Sequence, residues 1–303
     1  MEAEAKAISV SGLTKYYGRN VALVDVGFEV EAGETVAILG PNGAGKTTTV
    51  EILEGFRHRS GGRVSVLGED PGEAGRSWRA RIGLVLQATS LDEQLTVREE
   101  LRLYAGMYPN PKAVDEVLEM VGLADEADRR IGVLSGGQQR RVDLGLGIVG
   151  NPELLFLDEP TTGFDPAARR AAWEVIERLR EGGMTVVLTT HYLEEAERLA
   201  DRVVVVAGGR VVADASPEEV GGLAGRGSLL RFPVPEGVGL PAGLAAVATL
   251  EDGWATLVTD DLARALGALL DWAQKSGVDL NRLTVSHPTL EDAYLALTIS
   301  TER

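Results

Sequence analysis

The feature that most restricts the fold of this chain is the run GPNGAGKTT at residues 40–48, which matches the pattern G-x-x-x-x-G-K-[ST] in full. The apolar run Thr35–Leu39 precedes it, and a segment with helical character, Thr47–Leu53, follows it. This context distinguishes a phosphate-binding loop from a glycine-rich turn that contains a lysine by chance. Glycines let backbone N–H groups approach phosphate oxygens, because no Cβ is in the way. The sequence therefore predicts a phosphate site between a strand and a helix.

Two side chains of this loop are predicted to act on a bound nucleotide. Lys46 is placed to reach the β- and γ-phosphates, and the Thr47 hydroxyl is placed to bind Mg²⁺. The start of the following helix adds a partial positive charge that favours anions. The other predicted phosphate contacts are Asn42, Gly43, Gly45 and Thr48.

The run LLFLDEP at residues 154–160 predicts an apolar strand that ends in two carboxylates. A strand that is buried on both faces is an unfavourable place for Asp158 and Glu159 unless the carboxylates have a use. Asp158 at the strand tip is placed to support Mg²⁺, directly or through a water. Glu159 would then point elsewhere and polarise an attacking water as a general base. The alternative is an acidic cap to a strand, and the phosphate loop in the same chain argues against it.

Two polar residues follow further apolar runs. Gln87 comes after Gly83–Leu86, and His191 comes after Thr185–Thr190. Each would lie at the end of a strand, where open α/β sheets bind ligands. A neutral imidazole can hydrogen-bond a γ-phosphate oxygen or the attacking water. By position alone, either residue would more often be an ordinary loop residue.

The run LSGGQ at residues 134–138 is predicted to open a helix that runs from Gln139 onward. A serine hydroxyl and glycine N–H groups at a helix N-terminus form another anion site. One nucleotide does not need two phosphate cradles from one chain. The run is therefore either a simple helix cap or a cradle for a nucleotide that another chain holds.

Together these segments resemble the ordered motif set of the ATP-binding subunits of ABC transporters. The set consists of GPNGAGKTT, Gln87, LSGGQ, LLFLDEP and His191, and the resemblance spans about residues 6–220. The 20 residues from Gln138 to Asp158 are typical of that family, whereas phosphate loops are shared by unrelated NTPases. The resemblance implies a P-loop NTPase core with a helical subdomain, and ATP and Mg²⁺ as cofactors.

The resemblance also implies roles at the nucleotide. Tyr17 in KYYG matches the aromatic residue that stacks on adenine, and Tyr16 is the alternative. Ser135 and Gly137 match the residues that grip the γ-phosphate from the opposite subunit. A second copy of the chain is therefore an expected partner.

Three further residues match parts of the family that respond to the nucleotide. Asp165 in GFDP matches the loop that couples the two sites across the dimer, and His191 matches the switch histidine. Gln87 matches the residue that senses the γ-phosphate beside Mg²⁺ and contacts the membrane partner. Phe164 stands where leucine is commoner, but this departure removes no catalytic group.

The first part of the chain has the periodicity of an α/β domain. Five short apolar runs each have the character of a buried strand: Thr35–Leu39, Gly83–Leu86, Leu154–Leu157, Thr185–Thr189 and Val203–Val206. They alternate with amphipathic stretches such as Ala167–Arg180 and Leu193–Ala200, which predicts a nucleotide-binding domain with a largely parallel core sheet over residues 1–222. Residues 92–132 break the rhythm with Glu, Leu, Ala and Val at helical spacing. We therefore predict a helical insertion at about residues 88–150.

The second part begins at a glycine-rich segment, Gly221–Gly227, which is expected to be a linker. Residues 223–303 are predicted to form a small α+β accessory domain. Its predicted strands are Leu229–Val234 and Trp254–Val258, and its predicted helices are Leu262–Lys275 and Leu290–Leu297.

Composition restricts the partners. No apolar run reaches the ~18 residues that span a bilayer, so no direct membrane insertion is expected. The start, MEAEAKAIS, lacks an apolar signal segment, so no secretion is implied. The chain has no cysteine, which excludes disulfides and thiolate metal sites. A net charge of −16 would repel nucleic-acid phosphates, so no nucleic-acid partner is expected.

The tail HPTLEDAYLALT at residues 287–298 resembles the ending of drug-resistance and sodium-extrusion type exporter ATPases. These pair with a separate permease that spans the membrane several times. The resemblance implies a cytoplasmic ATPase, peripheral on the inner face of the membrane, that drives export of a drug-like or other small hydrophobic compound. The alternatives are the ATPase subunit of an importer and a soluble ABC protein that acts on ribosomes or DNA.

Overall fold

The computed structural model describes residues 6–86, 91–223, 228–235, 237–245, 248–251, 253–286 and 289–299. By the proximity of Cα atoms the chain divides into two compact units, Met1–Ser216 and Pro217–Thr301. Within the described ranges no helix combines the length and apolar character that a membrane span needs. The predicted domain boundary between residues 222 and 223 stays a prediction.

The first unit alternates strands and helices, which confirms the predicted α/β class. Its strands are β1 (Lys6–Tyr17), β2 (Asn20–Glu31), β3 (Thr35–Leu39), β4 (Gly61–Val66), β5 (Ile82–Val85), β6 (Leu154–Asp158), β7 (Thr185–Thr189), β8 (Arg202–Ala207) and β9 (Arg210–Ala215). Its helices are α1 (Lys46–Leu53), α2 (Arg76–Arg79), α3 (Val97–Ala105), α4 (Val114–Met120), α5 (Gly136–Val149), α6 (Pro166–Glu181) and α7 (Leu193–Leu199).

The main sheet of this unit has the strand order β5-β6-β7-β3-β8-β9. Neighbouring strands are parallel except for β8 and β9. Strands β3 and β7 are buried along their whole length, as expected for strands that are covered on both faces. Because β6, β7 and β3 are adjacent and parallel, their carboxyl ends meet at one edge of the sheet. The candidate site lies there.

A second sheet, antiparallel with the order β2-β1-β4, was not predicted. Its strands bury alternate residues, among them Leu13, Leu23 and Phe28, in the same core as residues of β3 and α1. The sheet carries Tyr17 at the end of β1. The adenine-stacking candidate therefore stands on this sheet and not on the parallel one.

The predicted helical insertion contains α3, α4 and α5. The helix after LSGGQ begins at Gly136, so the predicted start at Gln139 was wrong by three residues. The reason is a capping box: the Ser135 hydroxyl accepts from the Gln138 N–H, and the Gln138 side chain accepts from the Ser135 N–H. This cap supplies partners at the helix N-terminus and extends the helix toward Ser135.

The second unit consists of α8 (Pro217–Leu223), β10 (Ser228–Pro233), α9 (Ala242–Ala245), β11 (Ala248–Glu251), β12 (Trp254–Thr259), α10 (Leu262–Ser276), β13 (Thr284–Ser286) and α11 (Leu290–Ile299). Its sheet is antiparallel with the order β11-β12-β10-β13. One face packs on α10, where the rings of Phe232 and Trp272 are 5.8 Å apart. The predicted linker was wrong in part, because Gly221 and Gly222 belong to α8. Residues 224–227 of that linker lie outside the described ranges, as do His287 and Pro288 of the tail motif.

Candidate functional site

The phosphate loop joins β3 to α1, as the sequence predicted. Gly45 is the N-cap of α1 and has a φ of 108°, in the left-handed region that favours glycine. A Cβ on Gly45 would lie 2.5 Å from Leu23 Cδ2 and 3.0 Å from the Ala22 carbonyl oxygen. The close approach of β2 to the loop therefore requires glycine here.

Lys46, the first residue of α1, is buried with its ammonium group turned into the loop. Its Nζ donates to the carbonyl oxygens of Gly40 at 2.5 Å and Pro41 at 3.1 Å. Burial lowers the pKa of Lys46, and the nearby carboxylates of Glu159 and Asp158 oppose that shift. A buried cation in a ring of backbone dipoles is suited to bind a multiply charged phosphate.

The loop and the two carboxylates line one pocket. It brings together eight of the predicted site residues, and it also includes Ala22 and Thr189, which the sequence argument missed. The pocket is lined by Ala22, Pro41, Asn42, Gly43, Gly45, Lys46, Thr47, Thr48, Asp158, Glu159 and Thr189.

Thr189 at the end of β7 ties the two carboxylate residues together. Its hydroxyl donates to Asp158 Oδ1 at 2.5 Å, and its Oγ1 and carbonyl oxygen each accept from the Glu159 N–H at 3.1 Å. Thr189 pairs with Asp158 across the parallel strands. The rule that ligand sites lie at strand ends would have identified it, since it is the last residue of a predicted strand.

Glu159 has a φ of 45°, which is uncommon for a residue with a Cβ. Its Oε2 accepts from the Thr162 hydroxyl at 3.0 Å and lies 3.5 Å from His191 Nδ1. Backbone conformations of this kind cost about 1–3 kcal/mol and concentrate at functional sites. The two carboxylates have different partners: Glu159 Oε2 lies beside Thr162 and His191, whereas Asp158 Oδ1 accepts from Thr189.

The donor atoms of the pocket fit Mg²⁺. The hydroxyl of the exposed residue Thr47 and the Asp158 carboxylate would supply oxygen ligands, which Mg²⁺ prefers. This ion usually keeps waters and substrate phosphates as its other ligands. Within the described ranges no three His, Cys, Asp or Glu side chains are grouped as a metal site. The third predicted ligand, Gln87, lies outside the described residues.

Tyr17 reaches the phosphate loop. Its hydroxyl is 3.5 Å from Thr48 Oγ1, and its ring is partly exposed. Lys15 Nζ and Arg57 Cζ lie 5.1 Å and 5.3 Å from the ring centroid. Tyr16 has no such contact with the loop among the described residues, so the geometry favours Tyr17 as the stacking residue.

Five of the predicted residues that the structure describes do not line this pocket: Tyr17, His191, Ser135, Gly137 and Asp165. Ser135 and Gly137 lie at the start of α5. Asp165 caps α6 through Oδ1, which accepts from the N–H groups of Ala167 and Ala168 at 2.8 Å and 2.9 Å. Both segments therefore have a structural role within one chain.

Two family models match the chain. The model described as "ABC transporter" matches residues 23–162. A second, described as "ABC transporter domain-containing protein-like, C-terminal domain", matches residues 228–289.

Curated proteins and solved structures are similar over longer stretches. The daunorubicin resistance ATP-binding protein DrrA2 of Streptomyces coeruleorubidus is 38% identical over 307 residues, which is 96% of this chain and 95% of that protein. The Nod factor export ATP-binding protein I of Rhizobium sp. (strain N33) is 43% identical over 70% of this chain and 71% of that protein. An ATP-binding subunit of an ABC transporter aligns with TM-score 0.63 and 30% identity, covering 71% of this chain and 91% of that one. A dimeric ATP-binding cassette in a post-hydrolysis state with ADP and Pi aligns with TM-score 0.60 and 27% identity, covering 69% and 98%.

Proposed function

Since the chain belongs to the ABC transporter family as an ATP-binding and ATP-hydrolysing subunit, we propose that two copies of it close on ATP and drive a separate membrane permease. The proposed cargo is a drug-like or other small hydrophobic compound that moves outward. The observation that carries the proposal is the separation of Ser135 from the phosphate pocket of its own chain.

The pocket of one chain would contact a bound nucleotide on one side only. The phosphate loop and the Asp158–Glu159 turn supply that side, and the described residues that line it include no part of LSGGQ. Ser135 and Gly137 stand at the N-terminus of a 14-residue helix, where N–H groups and the helix dipole favour an anion. A second copy could supply this surface to the γ-phosphate. The dimeric cassette with ADP and Pi supports such an arrangement.

Within the closed pair, the proposed chemistry is in-line attack of water on the γ-phosphorus. The new P–O bond forms as the bond to the β–γ bridging oxygen breaks, so that ADP leaves, inorganic phosphate is released and the proton of the water passes to Glu159. Glu159 orients and polarises the water, and His191 beside Oε2 holds that carboxylate or the phosphate in place. Lys46 neutralises charge on the β- and γ-phosphates. Mg²⁺ at Thr47 and Asp158, when bound, would offset further negative charge on the phosphate oxygens.

The names of the relatives support export. The Nod factor protein is named for export, and the daunorubicin protein is named for resistance to a drug. The similarity to the daunorubicin resistance protein covers 96% of this chain, including the accessory unit. An importer role is not favoured by these relatives, and none of the names reported above mentions ribosomes or DNA.

A groove in the first unit is the proposed contact for a cytoplasmic segment of the permease. Phe56 and Leu86 expose 65% and 43% of their surface there, and the aromatic residues Tyr104 and Tyr108 line it too. Leu86 directly precedes Gln87, which matches the family residue that senses the γ-phosphate and contacts the membrane partner. Docking at this groove would hold the chain peripherally on the cytoplasmic face of the membrane.

The proposal is tested with Glu159→Gln, which removes the base and keeps the shape. With ATP the variant should bind nucleotide, lose turnover and elute as a dimer from a sizing column, whereas without nucleotide it should elute as a monomer. Adding Ser135→Arg should leave ATP binding to the phosphate loop and prevent the dimer, because a bulky side chain would stand between Ser135 and the partner's phosphate. If Glu159→Gln binds ATP and stays monomeric, the homodimer is refuted.

A further inference from the structure

Arg140, on α5 five residues after Ser135, is 8% exposed and directs its guanidinium group at backbone carbonyls of two strand ends. Its Nε donates to the Pro160 oxygen at 3.1 Å, and Nη2 donates to the Asp158 oxygen at 3.3 Å. Its Nη1 donates to the Leu86 oxygen at 2.5 Å. One side chain thus joins α5, the end of β6 and the residue that follows β5.

The charge of Arg140 is balanced one turn along the helix. Asp143 Oδ2 lies 3.4 Å from Arg140 Nη1, and both side chains are about nine-tenths buried. An ion pair of this kind is weak evidence for stability, because desolvation of the two charges offsets much of their attraction. The planar fork of a guanidinium, however, can hold several acceptors in a fixed arrangement.

The carbonyls that bind Arg140 include those of the two residues on either side of Glu159. Thr189 holds the Glu159 N–H from the other direction. The left-handed φ of Glu159 is therefore fixed by donors at the flanking carbonyls and by acceptors at its own N–H. Side chains that secure a strained backbone in this way determine where its carboxylate points.

We infer that Arg140 is a positioning residue for hydrolysis: it holds the peptide groups beside Glu159 and ties them to the carbonyl of Leu86, the residue that follows β5. The inference rests on the proposed role of Glu159 as the base. A displacement of about 1 Å at a reacting group can cost roughly 100-fold in rate. Nucleotide binding should depend little on Arg140, since the residues that line the phosphate pocket do not include it.

The test compares Arg140→Lys with Arg141→Lys in the full chain. Arg141 is the matched control because it is adjacent on α5 but donates to the Gly122 oxygen, away from the strand ends. Arg140→Lys should lower kcat roughly 10- to 100-fold and change KM for ATP by less than about threefold. Arg141→Lys should change kcat by less than about twofold. Should Arg140→Lys not fold, Arg140→Gln is measured in its place.

A double variant asks whether Arg140 acts through Glu159. Added to Glu159→Gln, Arg140→Lys should leave the residual turnover unchanged within about threefold, because the group it positions is already absent. A further drop equal to that in the wild-type background would overturn the inference. So would wild-type kcat in Arg140→Lys, an equal loss in Arg141→Lys, or a loss confined to KM. Wild-type turnover by Glu159→Gln alone would instead refute the proposed base, so the two failures are distinguishable.

Discussion

Glu54 should make the protein less stable as pH rises, and Glu54→Gln should remove that effect. The residue follows α1, is 5% exposed and lines the groove between Phe56 and Tyr108. Among the residues that the structure describes, its carboxyl group has no hydrogen-bond or ion-pair partner. Burial, followed by the charges of Asp158 and Glu51, raises its pKa from an ordinary 4.5 to about 8.

The sign follows from proton binding. Between about pH 4.5 and 8 the folded chain keeps the Glu54 proton that the unfolded chain has released, so stability falls as pH rises through this window. At 1.36 kcal/mol for each pKa unit, the loss between pH 5 and pH 8 is at most about 3–4 kcal/mol. The amide in Glu54→Gln is neutral at both pH values. Its free energy of unfolding should therefore rise relative to wild type by up to that amount.

The assay is hydrogen exchange of peptides from β3 and α1 in urea at pH 5, 6.5 and 8, because both elements belong to the unit that contains Glu54. Glu119→Gln on α4 is the control, since Glu119 is exposed and its replacement should give no gain that grows with pH. A difference between Glu54→Gln and wild type that is the same at pH 5 and pH 8, or smaller at pH 8, would refute the reasoning.

Two further predictions concern the phosphate loop. Lys46→Ala should weaken ATP binding roughly 10- to 100-fold, because a charge-assisted contact contributes about 1.5–3 kcal/mol; a calorimetric titration with unchanged affinity would contradict this. Gly45→Ala should destabilise the nucleotide-free chain by roughly 2–4 kcal/mol in urea unfolding, since its Cβ would meet Leu23 at 2.5 Å. Gly43→Ala, also at positive φ but with open space around the added Cβ, should cost about 1 kcal/mol, and equal costs would remove the steric argument.

The strands of the parallel sheet could be predicted from the sequence, because each buried strand is a short, continuous apolar run. Thr35–Leu39 and Thr185–Thr189 were predicted at their observed bounds. The antiparallel sheet was missed since β1 and β2 mix polar and apolar residues, and the register shifts between them obscure the alternation. A strand that is half exposed leaves a weaker signal than one covered on both faces.

At the candidate site, the residues proposed to contact a phosphate or a metal could be named from the sequence because their chemistry is visible in the side chain, and eight of the predicted site residues line one pocket. Thr189 was missed although its place at the end of a strand pointed to it. Arg140 could not be predicted, because it acts on the backbone carbonyls of Asp158 and Pro160, which are distant in sequence. A threonine at a strand end and an arginine in a helix have many ordinary uses. Only the three-dimensional proximity of β6, β7 and α5 distinguishes these two.

In the capping box, the Ser135 hydroxyl uses its oxygen as a hydrogen-bond acceptor and keeps its hydrogen as a donor. The Ser135 oxygen accepts from the Gln138 N–H at 3.3 Å. The O–H hydrogen can therefore donate to an anion at the N-terminus of α5. Ser135→Thr would keep both the acceptor and the donor. Ser135→Ala would remove the donor and would also destabilise the first turn of α5, because the N-cap is lost. A loss of nucleotide-dependent dimerisation in Ser135→Ala would therefore combine the loss of the cap with the loss of the donor, and comparison with Ser135→Thr would separate these two effects.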